Sequence, residues 1–140
     1  MATKADFSQE EWETLHKGLT GAGFLVAVSD AGFFDSFKEA GALARHLREA
    51  RENASSELLR ELAETPGTGF GFTSSQNEVE SETLQALREA RQLLEAKAPE
   101  EVEAYRSFVL EVAQSVANAA GGGEGAESQA VEKIRSALSP

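Results

Sequence analysis

Between Val102 and Ala120, apolar side chains return every third or fourth residue: Val102, Tyr105, Phe108, Val109, Val112, Val116 and Ala120. That spacing lays one continuous apolar stripe along an α-helix and does not match a strand, whose side chains alternate between faces. A rod with such a stripe must bury it against other elements. It is the most apolar stripe in the sequence, so this segment is the expected central helix.

The rest of the chain supplies the partners. In "FSQEEW", Ser8 can cap a helix and Glu11 can reach back to it, with Phe7 and Trp12 at the two staple positions. This first helix runs to about Val28, and Trp12, Leu15, Leu19, Ala22 and Val26 form its buried stripe. Gly18, Gly21 and Gly23 weaken it by up to ~1 kcal/mol each relative to alanine. Close approach of another helix across the small-residue face is the expected compensation. A second helix starts near Ser36, capped with Glu39, carries Leu43 and Leu47, and stops near Asn53. A third spans about Ser56 to Glu64 and ends before Pro66 and Gly67. A fourth runs from about Ser75 to Lys97, and Pro99 then opens the fifth at its favoured first position. A last helix, about Glu127 to Leu138, carries Val131, Ile134 and Leu138.

The expectation is therefore an all-α fold, a compact single-domain bundle of about six helices. Residues 1–7 read as an N-terminal tail, and 66–74 and 121–126 as glycine-rich loops. A chain of 140 residues fits one domain and buries enough surface for one core without staples.

Charge and composition narrow the function. The net charge of −11 repels phosphate backbones and argues against nucleic-acid binding. The acids cluster at Glu78 to Glu82 and Glu100 to Glu103, where helices should begin, which fits solvated faces and dipole compensation. Without cysteine there is no disulfide or thiolate chemistry, which fits a reducing compartment. Met1 to Asp6 lacks the apolar stretch of a secretory signal, and "GFLVAV" is far too short to span a bilayer. A soluble cytoplasmic protein with no membrane insertion is expected.

A weak internal echo runs through the chain. "VAVSDAG" (Val26 to Gly32) and "VANAAGG" (Val116 to Gly122) are both small apolar helix ends that dissolve at glycine before a new helix. Two pseudo-repeated helical hairpins about a pseudo-twofold axis would explain it; chance also explains matches of such low complexity. With the "AVSDAG" helix end, the acidic restart and the final helix after "VANAAGG", the sequence resembles the tellurite-resistance TerB-like families. Here Ala31 separates Asp30 from Gly32, Phe33 and Phe34 occupy the usual polar turn, and the second repeat has no matching aspartate. The resemblance implies an all-helical fold with an acidic face for a divalent cation or a partner, and it does not imply an enzyme.

Read residue by residue, Asp30, Asp35 and Glu39 offer three carboxylates toward calcium or magnesium. Calcium takes six to eight oxygens, and Gly32 and Phe34 stand where an EF-hand would place ligands. The competing reading is a plain turn, in which Asp35 or Ser36 caps the second helix and Asp30 closes the first. "GLTGAGF" lacks the strand context and spacing of a dinucleotide fingerprint and has no Gly-Lys-Ser/Thr, so it reads as helix packing. His16 and His46 belong to no ligand cluster and read as partly exposed. In "RHLREAR", Glu49 and Glu52 favour pairing within the helix over phosphate binding.

Phe33, Phe34 and Phe37 crowd one short turn, where three rings are hard to bury together. They and the small-residue face of the first helix are the candidate contacts of a non-enzymatic binding domain. Its partner would be an unidentified protein or a second copy of the chain. The alternative is a TerB-like cation-binding or stress-response protein using Asp30, Asp35 and Glu39.

Overall fold

The first helix starts where its capping residues dictate. In the computed structural model, which describes residues 3–29, 42–65, 76–119 and 126–139, Ser8 N donates to Glu11 Oε1 at 2.8 Å. Glu11 N returns to Ser8 Oγ at 3.2 Å, so the reciprocal box is closed. Phe7 and Trp12 pack as the staple, their ring centroids 6.4 Å apart. Lys4–Asp6 form a short 3-10 turn ahead of this cap, and Phe7 is buried, so the end of the expected tail is docked on the bundle.

Six α-helices follow among the described residues: α1 Gln9–Val28, α2 Ala42–Arg51, α3 Glu57–Glu64, α4 Gln76–Lys97, α5 Val102–Ala119 and α6 Ala126–Ala137. Ser56 caps α3 by accepting from Leu59 N. Pro99–Glu101 form a 3-10 turn that leads directly into α5. No strand occurs among the described residues, and the all-α bundle read from the sequence is the architecture found.

The central rod is α1, not the α5 that the apolar stripe marks. It packs along α4 for much of its length, lies against α5 and α6, and touches α2 and α3. From Leu19 to Val28 every residue except Phe24 is buried, which is burial around the whole circumference rather than along one stripe. The α5 stripe is buried as expected, with Tyr105, Phe108, Val109, Val112 and Val116 at its centre. It packs on α1 from one side.

Glycine makes the central position of α1 sterically feasible. A Cβ on Gly18 would stand 2.7 Å from the Tyr105 hydroxyl and 3.0 Å from Leu87 Cδ2. On Gly23 it would meet Leu43 Cδ1 at 2.6 Å. The small-residue face of α1 is thus filled by α2, α4 and α5 of the same chain. This corrects its assignment as a contact for an external partner.

The hairpins cross-pair: α1 lies on α6, and α2 on α5. Val26, Leu43 and Leu47 are buried, as are their counterparts in the sequence echo, Val116, Ile134 and Leu138. Each such leucine or isoleucine contributes about 1.5–3 kcal/mol by leaving water.

One core position breaks the pattern. Thr83 is fully buried in α4, yet its Oγ1 has no hydrogen-bond partner among the described residues. An unpaired hydroxyl in an apolar setting costs about 1–3 kcal/mol. Thr83→Val keeps the shape and removes that cost, so it should raise stability by about 1 kcal/mol in thermal or urea denaturation. A lower midpoint in Thr83→Val would show that the hydroxyl is satisfied.

Candidate functional site

The buried polar groups come first, because they are where chemistry could hide. Tyr105 projects from α5 into the bundle and donates its hydroxyl to the Leu15 carbonyl at 2.7 Å. Burial alone pushes its ionisation well above the ordinary tyrosine range, so it stays a neutral donor. The seat is formed by Gly18 and Leu87, which leaves no space beside the hydroxyl for a substrate.

A second cluster ties the start of α1 to the end of α3. Trp12 Nε1 donates to Thr65 Oγ1 at 3.2 Å, and Thr65 Oγ1 donates to the Glu61 carbonyl at 2.8 Å. His16 Nε2 lies 3.1 Å from the Thr65 carbonyl, which fixes the proton on that nitrogen. Lys4 N completes the tie by donating to Glu61 Oε2 at 2.9 Å. The third group joins α2 to α5, with His46 Nδ1 2.7 Å from Ser115 Oγ. The fourth joins the α3 cap to the turn before α5, where Ser56 Oγ donates to the buried Glu101 carboxylate at 2.8 Å.

Both histidines are buried, against the expectation of partial exposure. Their bonding partners lie 49 and 69 residues away in sequence, so local pattern could not reveal them. Desolvation lowers the pKa of each below 6.5, opposed at His16 by the Thr65 bond and at His46 by Glu49. A folded state that resists protonating histidine is fully stable above the unfolded value of about 6.5. It then loses stability as pH falls toward the lowered folded values. The melting temperature should therefore drop as pH falls below about 6.5, and His16→Gln with His46→Gln should flatten that slope. Glu11 adds an acid loss only further down, because Lys97 and the Ser8 amide hold it below its usual 4.5.

The Ser115–His46 contact has the reach of a nucleophile and its base. Ser115, however, sits within α5, where neighbouring amides are engaged in helix bonds and cannot serve an oxyanion. The contact reads as a satisfied interhelical bond.

The described surface includes an open concavity with mixed chemistry, a groove of about 390 Å3 between α1 and α4. Glu10, Glu11 and Thr14 come from α1; Glu89, Gln92, Leu93 and Ala96 come from α4. The helices run antiparallel here, held by Glu11–Lys97 at 2.6 Å and Lys17–Glu82 at 2.5 Å. Ion pairs elsewhere follow the same surface logic: Glu80 pairs with Lys133 of α6. Arg51 crosses to Glu64 of α3 at 2.7 Å rather than pairing within α2 as the sequence implied.

Asp30, Asp35 and Glu39, and likewise Phe33, Phe34 and Phe37, lie outside the described residues. The start expected for the second helix at Ser36 and the glycine-rich loops lie outside them too. Among the described residues no group of three or more acidic or histidine side chains is arranged to hold a metal ion, and no helix is long and apolar enough to cross a membrane. Comparison with known proteins gives no match to a family model, to a curated protein or to a solved structure.

Proposed function

We propose that the protein is a helical binding domain that works by contact with a protein partner or with a second copy of itself, and not by catalysis. The observation that carries this reading is the use made of the buried polar side chains. Tyr105, His16, His46 and Glu101 each tie one segment of the bundle to another. The bundle is thus a rigid support, and groups able to meet another molecule stand at its surface. The candidate contacts in this reading are Phe33, Phe34 and Phe37, taken from the sequence, and, independently, the carboxylate-bearing groove on α1 and α4.

Sedimentation velocity over a range of concentrations tests the self-association form. Phe34→Ala should sediment as a smaller species than the unaltered chain while its far-UV helicity is retained. An identical oligomeric state in the two proteins counts against it.

The second reading is a TerB-like divalent-cation protein, supported by the closeness in sequence of Asp30, Asp35 and Glu39 and by the resemblance of the surrounding motif. It requires calcium or magnesium to raise the melting temperature, with the rise lost in Asp30→Ala. Calorimetric titration without heat at millimolar metal rejects it.

A further inference from the structure

We infer that the groove between α1 and α4 receives a lysine- or arginine-bearing segment of a protein partner; this rests on the binding-domain reading and gives that partner its chemistry. The floor is apolar surface left uncovered beside the most extensive helix contact in the bundle. Leu93 is only half-buried and Ala96 is exposed, with Thr14 facing them from α1. The two walls carry carboxylates from different helices, Glu10 on α1 and Glu89 on α4.

Those two carboxylates are available. Glu10 is exposed and forms no ion pair among the described residues. Among the described residues Glu89 accepts only a neutral amide, from Gln85 at 3.3 Å. Glu11, which also lines the groove, is different: Lys97 and the Ser8 amide already occupy it. Apolar floor and anionic rim together match the two halves of a long cationic side chain. Its alkyl stem lies on Leu93 and Ala96, and its charged head reaches Glu10 and Glu89. A groove of about 390 Å3 has room for side chains of this kind. The net charge of −11 favours encounter with a cationic segment and disfavours anionic polymers or lipid.

The test uses the full chain and a capped heptalysine peptide, followed by amide chemical shifts. Binding should move the amides of Thr14, Gln92, Leu93 and Ala96. The double variant Glu10→Gln/Glu89→Gln should weaken it about fivefold. A control with the same charge change elsewhere, Glu57→Gln/Glu103→Gln on exposed positions of α3 and α5, should alter it less than about twofold. Equal weakening in both variants reduces the effect to overall charge and overturns the proposal. Shifts centred elsewhere, or no shifts at millimolar peptide, also overturn it. If the groove fails while Phe34→Ala still changes sedimentation, the binding-domain reading stands without it. If neither responds, both fall.

Discussion

Tyr105→Ala should remove about 3–5 kcal/mol of stability, the largest loss expected from any single truncation in this core. The side chain is 1 % exposed and lies where α1, α4 and α5 converge. Truncation leaves a ring-sized void lined by Leu87 and the backbone of α1, and removes the hydroxyl that bonds Leu15. Single domains hold only about 5–15 kcal/mol in total, so this change brings the chain close to unfolding at ambient temperature. Urea denaturation followed by far-UV circular dichroism reads the effect directly. Tyr105→Phe provides the measurable partner if alanine leaves too little folded protein. It keeps the ring and should lose only about 1 kcal/mol, because the Leu15 carbonyl keeps its helical bond. A Tyr105→Ala loss below about 1 kcal/mol would mean that the ring is not packed at this junction.

Gly18→Ala is the second large effect, and its sign runs against helix propensity. In an exposed helix interior, alanine is better than glycine by about 1 kcal/mol. At this position the new methyl would stand 2.7 Å from the Tyr105 oxygen, closer than packed atoms tolerate. The tyrosine cannot simply swing aside, since it is fully enclosed and its hydroxyl bonds Leu15 at 2.7 Å. Overpacking of this kind typically costs about 1–3 kcal/mol, and loss of the displaced hydrogen bond adds about 1. The net expectation is a loss of about 2 kcal/mol. Gly23→Ala is a milder case, because the atom it meets is the tip of the flexible Leu43 side chain.

The helix ends were readable in advance because their causes are local. Ser8 with Glu11, Ser56 ahead of "ELLRELAE", and Pro99 ahead of two acids each act within one helical turn. The stripe on α5 was readable because valine, phenylalanine and tyrosine carry large apolar areas at regular spacing. The rank of α1 was not, because glycine and alanine bring little area to any stripe. A signal was nevertheless present: "GFLVAV" has no polar side, and a helix apolar all round belongs in the interior.

The burial of His16 and His46 depends on Thr65 and Ser115, partners that only the folded chain brings close. The α1–α4 groove escaped for the same reason. Glu10 and Thr14 read as an ordinary polar face, as do Glu89 and Gln92, until antiparallel packing sets the two faces side by side. Gly18 and Gly23 are sites of close helix approach, as their small size suggests, but nothing local specifies which helix approaches. Gly18 receives a tyrosine 87 positions later, an association that no local spacing encodes.

Placing α1 at the centre, seated on Tyr105 through the missing side chain of Gly18, is tested most directly by a double-mutant cycle. Stability is measured by urea denaturation for the unaltered chain, Gly18→Ala, Tyr105→Phe and the combination. With the hydroxyl gone, the closest contact left to the alanine methyl is the tip of the Leu87 side chain at 3.0 Å, and its penalty should shrink. The predicted coupling is at least about 1 kcal/mol, with Gly18→Ala nearly neutral in the phenylalanine background. Strictly additive losses would contradict the account, because they would mean that Gly18 and Tyr105 do not touch.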